Sequence, residues 1–162
     1  MTQPTWREAA KTAFVVESQE RTLAACLRAI DAPTEVRRLT PIPSADVAFE
    51  VNGKLVLVER KAASDLLHSW IARQGKTTHL QSQVDRMRAN GDVTVLAIEG
   101  WFGVSDNDYV RTVNRQSRLK YDGLMNLLYR LQCDGVRLQF SVDTPHTAHR
   151  LVSLRTYLGG KK

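Results

Sequence analysis

The chain has 162 residues, 43% of them hydrophobic and 25% charged, enough to build one globular unit around its own core. This composition excludes a disordered, low-hydrophobicity chain, and two widely separated cysteines, Cys26 and Cys133, exclude a disulfide-built secreted scaffold. A formal charge of +6 and a pI near 9.6 point to a polyanionic partner, with nucleic acid ahead of an anionic membrane surface.

No apolar run approaches the length of a membrane span, and the first residues lack the apolar stretch of a signal peptide. A cytoplasmic protein with no membrane partner is therefore expected. Both cysteines read as reduced core residues, and no Cys/His spacing suggests zinc.

In chain order, residues 13–18 form a short apolar run, read as a buried strand. Residues 21–30 place Leu23, Leu27 and Ile30 at helical spacing and stop before Pro33. Residues 35–39 read as an edge strand, ended by Pro41-Ile42-Pro43. Residues 46–51 and 54–61 flank Asn52-Gly53, the dipeptide most characteristic of a two-residue type I′ hairpin.

Helices are expected over 65–72 and 79–89, separated by a polar loop around Gly75-Lys76. Residues 93–98 are almost continuously apolar, as a central strand covered on both faces should be. A long amphipathic helix is expected over 116–132, a strand over 136–141 and a closing helix over 147–158, with Gly159-Gly160 in a frayed tail. Strands alternating with helices give an α/β fold with a mixed central sheet in a single domain.

The hairpin carries a geometric consequence. With Asn52 and Gly53 as turn residues, Val51 faces Lys54, and the same register sets Asp46 opposite Glu59, with Cβ atoms about 4.5–5.5 Å apart. Lys61 falls on the same face by strand alternation, and Arg60 on the other. Like charges opposed across a ladder destabilise it, whereas a divalent cation between them removes the conflict. Carboxylate oxygens are what Mg²⁺ prefers. Val47, Phe49, Val51, Val56 and Val58 line the opposite face and anchor the hairpin in the core.

These residues carry a family resemblance. The stretch Ala45-Asp46, then Glu59-Arg60-Lys61-Ala62-Ala63-Ser64-Asp65, resembles the signature of the XPF/Hef structure-selective endonucleases: Gly-Asp, then Glu-Arg-Lys, three residues and Asp. Asp65-Leu66, Ser69, Leu80 with Gln83, Ile98-Glu99, Val16-Glu17-Ser18-Gln19-Glu20 and Thr144-Pro145-His146 are similar to further family positions, in the same order, from about residue 13 to residue 158. Three departures stand out: Ala45 replaces the motif glycine, Glu17 and Gln19 replace an aspartate and an arginine, and no helix-hairpin-helix module follows.

The resemblance implies a restriction-endonuclease-like fold and Mg²⁺-dependent phosphodiester hydrolysis, with Mn²⁺ as a substitute, in branched DNA such as flaps, forks and nicked junctions. It implies Asp46 and Glu59 as metal ligands, Lys61 as the catalytic lysine, and Arg60, Asp65 and Glu20 as supporting active-site residues. A homodimer or a protein partner would replace the missing module, and the absence of appended modules suggests a bacterial or phage source. The alternatives are a Holliday-junction resolvase, a restriction-type nuclease on the same site, or a non-catalytic DNA-junction subunit.

Outside the motif, Arg111, Arg115, Arg118 and Lys120 form a basic run without an acid, suited to tracking phosphates as DNA-binding residues. Trp101-Phe102 reads as a packed aromatic pair, Glu17 as structural, and His146 with His149 as too few ligands for a metal.

Overall fold

The computed structural model describes residues 5–70, 79–113 and 115–160. Its central sheet has six strands in the order β2-β1-β3-β4-β5-β9. These are β1 (Phe14–Glu17), β2 (Thr34–Arg37), β3 (Val47–Val51), β4 (Lys54–Ala62), β5 (Val93–Glu99) and β9 (Arg137–Ser141). Strand β1 pairs parallel with β2 and antiparallel with β3, β3 with β4 is the antiparallel hairpin, and β4, β5 and β9 run parallel. The 35–39 segment is an edge strand as expected, shifted slightly to β2.

The hairpin forms as its turn chemistry dictates. Asn52 and Gly53 both take positive φ, 52° and 74°, the type I′ geometry that matches the twist of the flanking strands. Val51 pairs with Lys54 and the register holds through Val47 with Val58.

Strand alternation sorts the two faces. On one, Phe14, Val16, Val47, Phe49, Val56, Val58, Val95 and Ala97 pack under α2 (Arg21–Ala29) and α6 (Thr144–Gly160). On the other, Val15, Ala48 and Leu57 pack with α1 (Trp6–Ala10) and Met87 of α4 (His79–Asn90). Leu96 and Ile98 on that side join α3 (Ala63–Trp70), α4 and α5 (Tyr121–Cys133). Each large side chain so buried contributes roughly 1.5–3 kcal/mol.

Four sequence expectations need correction. Residues 116–120 are not the start of the long helix but β8 (Arg115–Lys120), the third strand of a separate sheet with β6 (Gly103–Val104) and β7 (Tyr109–Thr112). Leu119 fits the apolar spacing of α5, yet it packs across Gly123 in the first turn, where an added Cβ would lie 2.8 Å from it. Cys133 is exposed at the end of α5, and only Cys26 packs against the core. Helix α6 begins at Thr144, where Pro145 sacrifices no helical hydrogen bond and Asp143 Oδ1 accepts from His146 N–H at 2.9 Å; the helix continues through Gly159-Gly160. Finally, Trp101 is 51% exposed rather than packed. Ala72 and the Gly75-Lys76 loop lie outside the described residues.

Glu17 is structural, as expected. Its Oε2 accepts from the Leu39 and Thr40 backbone N–H groups at 2.6 and 2.9 Å, and its Oε1 from Ser18 N–H and Oγ–H at 2.8 and 2.6 Å. Burial alone would raise its pKa, but these four donors outweigh it and hold the carboxyl below its ordinary 4.5. A depressed carboxyl pKa stabilises the fold above the unfolded-state value, and that stability is lost as pH falls through the folded one. Glu17→Ala strands those backbone donors and should cost about 2 kcal/mol in urea unfolding at neutral pH. The deficit should shrink in acid.

Candidate active site

The Asp46, Glu59 and Lys61 side chains meet where the hairpin ladder ends. Beyond Val47, the Asp46 N–H donates to Val58 C=O at 2.9 Å, so Asp46 steps off the strict register that would have set it squarely opposite Glu59. Its carboxylate turns toward β4 instead, and Oδ2 accepts from the Arg60 backbone N–H at 2.8 Å. The charge of Glu59 still acts on the Asp46 carboxyl.

Burial raises the Asp46 pKa to about 7, with the negative charge of Glu59 as the second cause. Glu59, 4% exposed, is also pushed up by burial, against the opposing pull of Lys61. Glu59 Oε1 takes the Lys61 ammonium at 3.1 Å and the Gln83 amide of α4 at 2.8 Å. Its fixed orientation therefore comes from both its own strand and the helix above.

Arg60 projects to the other face, as alternation requires. Its guanidinium bridges Glu20, at 2.7 Å through Nη2 and 2.9 Å through Nε, and Glu99, at 3.1 Å through Nη1. Glu20 precedes α2, and its charge contributes to raising both Asp46 and Glu59. Glu99 ends β5 and accepts from the Thr144 and Thr147 hydroxyls of α6 at 2.7 and 2.8 Å. Sequence reasoning assigned no role to Glu99 or Gln83; the available signal was their place at a strand end and on a helix face beside the motif.

Asp65 is exposed in the first turn of α3 and lines a cleft with Glu99, Gly100 and Trp101 rather than joining the carboxylate pair. Arg111, Arg118 and Lys120 are exposed on the small sheet. Lys120 Nζ lies 4.0 Å from the Tyr109 ring centroid and donates to Asn107 C=O at 2.6 Å. The Arg115 side chain lies outside the described ones.

Among the described residues, no three His, Cys, Asp or Glu side chains gather closely enough to cage a metal ion on their own. Two hard carboxylates, each with raised proton affinity, still suit Mg²⁺, which commonly takes one or two protein carboxylates and completes its shell with water and phosphate. No described helix is long and apolar enough to cross a membrane.

Comparisons with known proteins agree with this architecture. The ERCC4 domain family matches residues 16–154. The solved structure of XPF from Aeropyrum pernix superposes with a TM-score of 0.68 at 21% identity, covering 92% of this chain and 66% of that one. A second structure of that protein, in complex with DNA, gives a TM-score of 0.66 at 21% identity, covering 91% of this chain and 64% of the other. The chain thus spans just under two thirds of the length of those chains. No curated protein matches. The fold is that of XPF from Aeropyrum pernix, and the chain belongs to the ERCC4 domain family.

Proposed function

We propose that this chain is a divalent-metal-dependent endonuclease that hydrolyses phosphodiester bonds in branched DNA. The observation that carries the proposal is the half-buried Asp46 carboxyl under the charge of the buried Glu59, which is paired with Lys61, at the end of one hairpin. Two carboxylates that resist ionising together form an electrostatic defect unless a cation is supplied, and such defects are characteristic of catalytic centres.

Asp46 and Glu59 would hold Mg²⁺ or Mn²⁺, which when bound polarises the phosphate and acidifies a water. The protein's own side chains do the remaining work. Gln83 and Lys61 fix the rotamer of Glu59, and the Arg60 N–H fixes Asp46. The Lys61 ammonium offsets charge building on the scissile phosphate. Arg60, bridging Glu20 and Glu99, is a positioning residue, and Asp65 lines the approach to the site from α3. Arg111, Arg115, Arg118 and Lys120 supply phosphate contacts. The complex of the Aeropyrum pernix protein with DNA supports the choice of ligand, and a homodimer or partner protein would enlarge the DNA-binding surface.

The test is a panel of end-labelled blunt duplex, flap, fork and four-way junction DNAs in Mg²⁺, with Lys61→Ala alongside. Wild type should cut the flap or fork far faster than the duplex, and Lys61→Ala should lose about a hundredfold or more in rate. Preference for the four-way junction would make it a resolvase. Tight binding with no cutting in either metal would make it a non-catalytic junction subunit.

A further inference from the structure

The three-stranded sheet β6-β7-β8 carries the basic run and forms one wall of an open trough. Two adjoining clefts, of about 290 and 360 Å³, share Ser64, His68 and Thr112 and so run into one another between α3 and this sheet. One end reaches Glu99 and Trp101, and the other reaches Gln116 and Arg118.

Trp101 is built as a platform. Gly100, at φ 105°, turns the chain out of β5, and the exposed indole then lies over Gly103. A Cβ on Gly103 would approach the indole Cζ3 to 2.7 Å, so only glycine lets the ring settle there. Arg111 pairs with Gly103 across the β6–β7 ladder. From Tyr109 to Tyr121 the chain carries four basic residues and no acid.

We infer that this trough seats a single-stranded segment of DNA, with an unpaired base stacked on Trp101 and its phosphates carried toward Arg118. The chemistry selects the ligand. An indole face attracts any base that is not already stacked on neighbours, and duplex bases are stacked on both sides. Asp65 and Glu99 at the Trp101 end repel phosphate, so the base occupies that end and the backbone follows the basic one. The trough opens beside Glu99 and Ala62, the residue that follows Lys61 at the end of β4. This inference takes its choice of DNA from the endonuclease reading.

The test uses fluorescence anisotropy in EDTA, with a labelled oligothymidylate, a fork with thymidylate arms, and a blunt duplex. Trp101→Ala should weaken the oligothymidylate and fork by about tenfold or more, while duplex affinity stays within about twofold. Trp101→Phe, which keeps an aromatic face, should recover most of the loss; Tyr129→Ala, which removes another exposed aromatic ring, should change nothing. Quenching of wild-type tryptophan emission by oligothymidylate, absent in Trp101→Phe, gives a reading that does not depend on the alanine variant folding. Failure of the wild type to bind oligothymidylate, an equal loss on all three DNAs, or no loss in Trp101→Ala would overturn the inference. A wild type that binds as described but never cuts would leave the trough standing and remove the nuclease reading instead.

Discussion

Asp46→Asn should reduce metal-dependent cleavage by at least about a hundredfold and, without metal, make the protein more stable at pH 8. The two effects share one cause. With its pKa raised from 3.8 to about 7, Asp46 holds a proton in the folded state at pH values where the unfolded chain has released it. Between about pH 4 and about pH 7 the folded state therefore binds more protons, and metal-free stability falls as pH rises, by up to about 4 kcal/mol at 1.4 kcal/mol per pH step. Glu59, raised by the same burial, adds in the same direction.

Asparagine keeps the shape and cannot ionise, so the variant's stability should be much flatter over that range. Millimolar Mg²⁺ at pH 8 should raise the melting temperature of the wild type and leave the variant nearly unmoved. Urea titrations at pH 5 and pH 8, with and without Mg²⁺, check all of this. Equal pH slopes in the two proteins would show that the Asp46 carboxyl is not under the strain ascribed to it.

The second large effect is on stability. Arg60→Ala removes the cation between Glu20 and Glu99 and leaves two carboxylates facing each other where α2, β4, β5 and α6 meet. Burial opposes the Arg60 charge, but the two acids outweigh it and raise its pKa, so the guanidinium is held firmly. Removing one partner of a buried ion pair costs about 3–5 kcal/mol, and with this side chain 23% exposed a loss of roughly 2–3 kcal/mol is expected. In a protein of this size that is a fall of about 5–10 °C in melting temperature, measurable by calorimetry. Arg60→Lys should recover less than half, because an ammonium cannot bridge both carboxylates as a planar fork does. An unchanged melting temperature in Arg60→Ala would show that the bridge contributes nothing.

What could be read from the sequence followed the range of the interactions. The hairpin was legible because Asn52-Gly53 fixes a turn by itself, and the turn fixes the register of its strands. That register set Asp46 directly opposite Glu59, and it missed the last step, where Asp46 leaves the ladder to accept from Arg60. Gln83 and Glu99 were invisible as partners because their contacts with Glu59 and Arg60 join elements far apart in sequence. The small sheet was missed for another reason. Its strands are short and polar, with little apolar alternation to mark them, and Leu119 extends the periodicity of α5 backward into β8. Cys133 was misplaced because its apolar sequence neighbours lie on the buried side of α5 while the thiol lies on the other.

The most direct test of the central claim is the rate at which the wild type nicks a forked duplex in Mg²⁺, beside the same reaction in EDTA. Cleavage that requires Mg²⁺, stops with the chelator and returns on adding Mn²⁺ is the predicted result. Undiminished cutting in EDTA, or no cutting of any branched DNA in either metal, would contradict it.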